Sequence, residues 1–385
     1  MTRREHFIIF SAQFLPNIGG VEKYTDNLAR ELVRQGYRVT VATTDASAPA
    51  GRCTLDGGVE VVRLPCFPLI GGRMPVPRKN AEFKRLWNAL AAQRYDGVLV
   101  NTRFYLHSLL GLRLAKQQGL TAAVCEHGSA YLTFGSPLVD RAVVAYEHGI
   151  TARVKRYRPD FYAVSSKGLD WLSTFGIQGK GVLSNAIDAD AFRASSSGRS
   201  FREDCVVPED ALLVSFVGRF IPEKGVDALI AAMDILEKRG VPAVLVMAGA
   251  GPLEERIREA HLSNIVVAGR LDAPDVAALM DESDLFCLPT RSEGFSTSLL
   301  EAAACATPAA ITDVGGVAEM IPDDRFGIVL ADARPETIAD AIEAAACDRE
   351  RLARQGACAR DRVRDLYSWE CTARAVIAAF ENACR

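Results

Sequence analysis

Short, unbroken apolar runs recur along the chain, and the longer stretches between them return to apolar residues every three or four positions. The runs predict strands at Phe7–Phe10, Val39–Thr43, Val59–Leu64, Gly97–Val100, Ala122–Cys125, Phe161–Val164 and Gly181–Leu183. Between them, Glu22–Gln35 sets Tyr24, Leu28 and Leu32 four apart, which predicts a helix, and Pro137–Arg156 predicts another. A polar run, Ala194–Ser200, interrupts the pattern and predicts a linker. The alternation then restarts with Leu212–Val217, a helix over Val226–Arg239, Ala243–Ala248, a helix from Pro252, Ile265–Ala268, a helix from Pro274, Leu285–Leu288, and a helix carrying Glu301. The tail from Arg349 to Arg385 predicts helix, with Ser368 placed to cap it before Trp369. Strand and helix in alternation predict an α/β fold of two doubly wound parallel-sheet domains, over 1–190 and 205–367. Ligands on such sheets bind outside the carboxyl ends of the strands, so two facing domains would leave a cleft between them.

Length agrees with two domains, since 385 residues exceed what one hydrophobic core usually supports. A net charge of −3 argues against a protein built to clamp nucleic acid. The ten cysteines form no CxxC pair and no cluster at metal-ligand spacing, which predicts free thiols in a reducing cytosol and no metal site. No run reaches the 18 to 20 uninterrupted apolar residues of a spanning helix. The expectation is a cytoplasmic protein, with the inner face of the membrane as a possible station. Two basic, partly apolar stretches bear on that. Pro65–Trp87 mixes Phe67, Leu69, Ile70, Met74 and Trp87 with Arg73, Arg78, Lys79, Lys84 and Arg85, and Ile150–Arg158 holds four cations. Such mixtures suit an anionic membrane or a lipid diphosphate, although most charged helix faces are simply solvated.

Candidate chemistry gathers where predicted strands end. Glu293 and Glu301 lie eight apart, from a glycine-containing loop into a helix. On a continuous helix that spacing is about 12 Å, longer than the roughly 5–9.5 Å of a glycosidase carboxyl pair. The helix start between them suits a phosphate. Arg219 and Lys224 follow the strand Leu212–Val217, and a guanidinium fork beside an ammonium suits a diphosphate. Gly19 and Gly20 open the first helix, where glycine permits close backbone approach to a ligand. His127 stands just past Ala122–Cys125, placed to donate a hydrogen bond to a substrate hydroxyl or act as a base. Taken singly, each has a plainer reading as a surface charge, a structural turn or a buried histidine. Met247–Pro252 is a glycine-rich turn with Glu254 at the third fingerprint position, so it reads as tight packing and disfavours a dehydrogenase.

Together these motifs resemble the retaining glycosyltransferases of family 4, with the GT-B fold of two facing Rossmann-like domains. The resemblance runs from Gly19-Gly20-Val21-Glu22 through Glu126-His127-Gly128, Asn185–Asp188 and Gly218–Gly225 to Glu293 and Glu301. It implies transfer of a hexose-type sugar from a nucleotide-diphosphate sugar, UDP- or GDP-linked, to a hydroxyl acceptor. The acceptor could be a glycan, a lipid-linked glycan or a small molecule, and polysaccharide or glycolipid synthesis is the expected setting. It further implies that Glu301 binds the ribose while Arg219 and Lys224 hold the diphosphate. Gly294, Phe295, Ser296 and Thr297 meet the phosphate and sugar, and Glu293 bonds the transferred sugar. Gly19 and Gly20 approach the diphosphate, His127 contacts the donor sugar, and Arg270-Leu271 lies beside the nucleobase. The first domain would bind the acceptor, the second the donor, and a closing helix over 368–385 would pack back on the first. No cofactor or metal is expected, because the cations and the helix end can carry the leaving charge.

One departure is Ala186, where the family's Asn-Gly-Val/Ile-Asp stretch has glycine. Asp188 and Asp190 imitate a metal-binding Asp-x-Asp and are read as structural. The rival readings are a nucleotide-sugar 2-epimerase on the same fold and a non-catalytic nucleotide- or glycan-binding module.

Overall fold

The computed structural model describes residues 5–17, 19–69, 72, 74–131 and 136–383. Contacts divide the chain into two units: Met1–Asn185 with Trp369–Arg385, and Ala186–Ser368. The first runs β1 (His6–Phe10), α1 (Gly20–Arg34), β2 (Arg38–Thr43), β3 (Gly51–Thr54), β4 (Glu60–Arg63), β5 (Cys66–Leu69), β6 (Met74–Pro77), α2 (Ala81–Ala91), β7 (Gly97–Asn101), α3 (Ser108–Gln117), β8 (Ala123–Glu126), α4 (Pro137–Lys155), β9 (Asp160–Ala163), α5 (Ser166–Ser173) and β10 (Gly181–Val182). The second runs α6 (Ala189–Ala194), α7 (Phe201–Asp204), β11 (Leu212–Val217), α8 (Val226–Arg239), β12 (Ala243–Ala248), α9 (Glu254–Glu259), β13 (Ile265–Gly269), α10 (Ala273–Glu282), β14 (Leu285–Leu288), α11 (Thr297–Ala304), β15 (Ala309–Thr312), α12 (Val317–Met320), β16 (Ile328–Leu330), α13 (Pro335–Cys347) and α14 (Arg349–Leu366). The closing helix α15 (Trp369–Ala383) returns to the first unit.

The first sheet has the order β10-β9-β8-β7-β1-β2-β4-β3, parallel except for β3, while β5 and β6 form a separate antiparallel hairpin. Every residue of β1 and β7 is buried, as a parallel sheet covered on both faces demands. Helix α15 is held by side chains of this unit: Phe380 lies 4.9 Å from the Phe7 ring and Trp369 lies 5.6 Å from Tyr24. Gly97 leaves the room that the Phe380 ring occupies.

The second sheet is fully parallel, in the order β13-β12-β11-β14-β15-β16. In both units the strand order reverses beside the first strand, between β1 and β7 and between β11 and β14. Such a switch point parts the loops above it and is where open α/β sheets bind ligands.

The first unit ends at Asn185, ahead of the expected 190, and the second begins at Ala186, well ahead of 205. The polar run Ala194–Ser200 is no linker. Ser200 caps α7 through the Glu203 N–H at 3.3 Å, the Ser197 N–H donates to Pro274 O, and Arg199 pairs with Asp204. Its polarity serves surface hydrogen bonds within the second unit. Asp188 accepts the Ala191 N–H at 3.0 Å to cap α6, and Asp190 pairs with Arg364 at 3.2 Å, so both have structural partners.

Candidate active site

The second unit's switch point falls between the loops after β11 and β14, the two that carry Arg219, Lys224 and Glu293. Those loops are joined by named bonds. A single turn of 3-10 helix, Pro222–Lys224, ends at Gly225 with φ 73°, where a Cβ would overlap the Pro289 carbonyl. Only glycine accepts both that backbone and that contact. The Glu223 carbonyl then accepts the Arg291 N–H at 2.8 Å and the Thr290 hydroxyl at 3.0 Å. Beyond this seam the Lys224 ammonium pairs with the Glu293 carboxylate, their side chains 20% and 15% exposed. Arg219 is exposed on the same loop.

Past Glu293 the chain turns through Gly294 and Phe295 into α11, where the Ser296 hydroxyl accepts the Leu299 N–H at 3.3 Å. The Ser298 hydroxyl donates to Val217 O at 3.1 Å, tying the helix start to the end of β11. Glu301 lies in the second turn of α11. Only Thr297–Glu301 of the Glu293–Glu301 interval is helical, so a helical rise of eight residues does not describe that pair. The separation is set by the loop. Phe295 is buried and its ring lies 5.4 Å from Tyr367 and directly against Gly316. Beside it, Gly315, φ 53°, packs on the Glu293 and Gly294 carbonyls. Arg270 is exposed after β13, while Leu271 packs into the cluster of Phe201, Leu213 and Ala248.

In the first unit the switch point brings together the ends of β1, β7 and β8. Gly19 caps α1 in an extended conformation, and the Glu22 carboxylate folds back on it and takes its N–H, the capping-box arrangement. Burial raises the Glu22 pKa. At Gly20 a Cβ would meet nothing within 4 Å, so no packing reason requires glycine there. The approach to both glycines is fixed by buried Asp45, which accepts the Phe14 N–H at 3.0 Å and the Asn17 amide at 2.7 Å.

His127 is tied to α1 by a chain of bonds with one consistent set of donors. The Thr25 hydroxyl donates to Val21 O at 2.7 Å, so its oxygen accepts from the Asn101 amide nitrogen at 2.8 Å. This turns the Asn101 carbonyl oxygen to His127 Nε2 at 3.1 Å, and Nε2 carries the proton. The ring also lies edge-on to Tyr24 at 4.7 Å, and burial lowers its pKa to about 3. His127 is therefore neutral and its Nε2–H is already committed. Nδ1 remains as an acceptor, which corrects the expectation of a hydroxyl donor or a base near neutral pH.

Beneath His127 lies a buried ionic group that sequence reasoning missed. Arg103 pairs with Glu126 and, at 2.9 Å, with Glu147, and its guanidinium lies 3.9 Å from the Phe175 ring centroid. The other Glu126 oxygen accepts the N–H groups of His127 and Gly128 at 3.2 and 3.3 Å. Arg103 thus holds the His127 loop through Glu126. Its signal in the sequence is Glu126, a charged residue directly after the apolar run Ala122–Cys125. Gly315-Gly316 offered a similar cue after β15, whereas nothing marked Thr290.

Residues 199–362 match the glycosyl transferases group 1 family, and residues 19–180 match the glycosyl transferase 4-like domain. A GDP-mannose-dependent alpha-(1-6)-phosphatidylinositol dimannoside mannosyltransferase of Mycobacterium tuberculosis is 28% identical over 94% of this chain and 92% of its own. Sucrose-phosphate synthase from Thermosynechococcus elongatus superposes with a TM-score of 0.76 at 20% identity, covering 98% of this chain and 99% of that one. Anabaena HepE in complex with UDP does so with a TM-score of 0.70 at 16% identity, covering 99% of this chain and all of that one, 100%. The matches reach both α/β units and the loops at both switch points, and the chain belongs to the family 4 glycosyltransferases of the GT-B fold.

Proposed function

We propose that this glycosyltransferase moves a hexose from a UDP- or GDP-sugar to a hydroxyl of a glycolipid or polysaccharide precursor, with retention and without a metal ion. The observation that carries the reading is the Lys224–Glu293 pair, which joins the two loops at the second unit's switch point beside the capped start of α11. An incoming diphosphate supplies the anion that Lys224 otherwise finds in Glu293, and Arg219, exposed on the same loop, adds a second cation. Freed from Lys224, Glu293 becomes an acceptor for sugar hydroxyls. As the bond from anomeric carbon to phosphate oxygen breaks, negative charge on the leaving diphosphate falls to Arg219, Lys224 and the N-terminus of α11. The acceptor oxygen attacks from the face the diphosphate leaves, and its proton passes to the departing phosphate. Glu301 is assigned to the ribose, the Gly294–Thr297 backbone to phosphate and sugar, and Arg270-Leu271 to the base. Gly19, Gly20 and His127 are assigned to the donor as well.

The mannosyltransferase relative is named for GDP-mannose and a phosphatidylinositol glycolipid, and HepE was crystallised with UDP, which supports both donor classes and a lipid-borne acceptor. Among the described residues no helix is long and apolar enough to cross a membrane. Peripheral docking is assigned to the β5–β6 hairpin, where Phe67 and Leu69 are about half exposed, 49% and 51%, and Arg78 sits 5.4 Å over the Phe67 ring. Ile70 and Arg73 of that stretch lie outside the described residues. Flotation with anionic liposomes that is unchanged by neutralising Arg78, Lys79, Lys84 and Arg85 would remove this part of the proposal.

The deciding assay incubates the protein with nucleotide-sugars and candidate acceptors in chelator and follows product by NMR. Transfer with the donor's anomeric configuration is expected, and it should fall at least about a hundredfold in Arg219→Ala/Lys224→Ala, the scale for removing transition-state charge stabilisation. Epimerised free sugar without transfer, inversion, or loss of activity in chelator would each refute the corresponding part.

A further inference from the structure

The first unit carries a second cluster of cations, apart from the residues assigned above to the donor. At the carboxyl-terminal ends of α3 and α4, Arg113, Lys116, Arg153 and Arg156 line a cavity of about 750 Å³ walled by Leu109 and Tyr157. No carboxylate lines it, and none of the four cations makes an ion pair among the described residues. Some exposed arginines elsewhere find carboxylates, Arg199 in Asp204 and Asp275, Arg239 in Asp340 and Glu343, and Arg325 in Asp323, while Arg94 and Arg270 have none among the described residues. What sets these four cations apart is that they line one cavity. Helix dipoles account for only part of the cluster. One cation in a last turn offsets a helix's carboxyl-terminal charge. Lys116 lies in the last turn of α3 and Arg153 in that of α4, whereas Lys155 is bonded to the Phe175 and Gly176 carbonyls beyond α5. Arg113 and Arg156 remain.

We propose that this cavity binds a soluble compound bearing two or more phosphate groups. Guanidinium forks match phosphate oxygens, Lys116 adds a point charge, and Leu109 and Tyr157 offer apolar wall to a carbon skeleton. The volume lies within the range of small-molecule sites. A membrane surface fits less well. Among the described residues, the exposed large apolar ones of this unit are Phe67 and Leu69 on the hairpin, Leu138 and Val139 in the first turn of α4, and Val182, none of which lines the cavity. Arg153 is fifteen residues beyond Leu138, about 22 Å along the helix. Because α3 and α4 lead back to the amino ends of β8 and β9, the cavity sits at the sheet edge opposite His127.

The test is calorimetric titration with tripolyphosphate at about 0.15 M salt, where weak surface attraction is screened. It is run on Arg219→Ala/Lys224→Ala, so that the proposed donor site is silent and the result does not depend on that assignment. One saturable site is expected, weakened at least about tenfold by Arg113→Gln/Arg153→Gln and likewise by Lys116→Gln/Arg156→Gln. All four side chains are exposed, so both variants should keep the parent's circular dichroism and melting temperature. Absence of saturable binding, or binding indifferent to both pairs, overturns the proposal. So does sedimentation with phosphatidylglycerol vesicles that depends on these cations while tripolyphosphate fails to bind, since that assigns the cluster to a membrane.

Discussion

Acid should unfold the first unit well before the second. Three of the five histidines, His6, His107 and His127, lie in the first unit with strongly lowered pKa values. Burial, and next Arg38, lowers His6 to about 4; burial lowers His107 to about 4 and His127 to about 3. Each is neutral in the folded state at pH 5, whereas in the unfolded chain each titrates near 6.5. The unfolded state therefore binds more protons between these values. Stability is unaffected above about pH 6.5 and falls as the pH drops below it. At pH 5 the loss is about 2 kcal/mol for each histidine and about 6 kcal/mol for the three, a large share of a typical domain's 5–15 kcal/mol. Glu22 works in the opposite direction, since burial raises its pKa and the folded state takes up its proton first. It offsets part of one histidine.

The chain supplies its own reporter. Its three tryptophans, Trp87, Trp171 and Trp369, all belong to the first unit, so their fluorescence follows that unit alone. In urea, at about 2–3 kcal/mol per molar, the fluorescence midpoint should fall by about 2 M or more between pH 7.5 and pH 5. The second unit has only His261, which is exposed, and the part of the circular dichroism change that belongs to it should move far less. In His107→Gln the pH-dependent loss should shrink by about 2 kcal/mol, whatever the substitution does to stability at pH 7.5. A fluorescence midpoint that moves by less than about 0.5 M, or an undiminished loss in the variant, would show that these histidines are not held neutral.

At Gly20, alanine meets open space and improves helix propensity by up to about 1 kcal/mol. Gly20→Ala should therefore leave the melting temperature unchanged or higher while lowering kcat/KM by about tenfold or more if a donor backbone contact exists there; equal activity removes Gly20 from the site. For Lys224 and Glu293, both largely buried, a double-mutant cycle to alanine and glutamine should give a coupling of about 1–2 kcal/mol without donor, between the values for exposed and buried pairs. That coupling should shrink in saturating nucleotide diphosphate, and an unchanged value would mean that the pair does not open for the ligand. Arg103→Met strands Glu126 and Glu147 and should cost about 3–5 kcal/mol in the tryptophan-monitored transition, with the companion Glu126→Gln restoring part of the loss.

The strands with unbroken apolar runs were legible because burial on both faces of a parallel sheet leaves no room for polar positions. β1, β7, β11, β12 and β14 fall within one residue of their expected bounds. β3, β5, β6, β15 and β16 were not foreseen. β3 is largely exposed, β5 and β6 contain prolines and half-exposed side chains, and β16 has only three residues, so none of these imposes a pattern; β15 is fully buried but only four residues long. The Ala194–Ser200 run misled for a related reason, since a hydrogen-bonded surface segment and a linker share one composition.

At the site, residue types were legible and their states were not. Glycines, cations and carboxylates at strand ends announce phosphate chemistry, because few other residues let a backbone close on an anion or balance its charge. Whether Lys224 is held by Glu293, or which nitrogen of His127 carries the proton, depends on partners far away in the sequence. The second case is the more instructive. Thr25, Asn101 and His127 span three separate elements, and no local pattern connects them. Yet the hydroxyl of Thr25, by donating to its own helix, decides the orientation of the Asn101 amide, and through it the tautomer of His127. A histidine called a donor from its position at a strand end is thereby made an acceptor. A sugar hydroxyl that meets Nδ1 must bring its own proton, so donors lacking that hydroxyl, or carrying an ether there, should be poorer substrates, and equally so for an Asn101→Asp variant. In that variant a carboxylate faces both Thr25 and His127, and Nε2–H is kept. Loss of discrimination on Asn101→Leu but not on Asn101→Asp would locate the selection in the tautomer; equal discrimination in all three proteins would refute it.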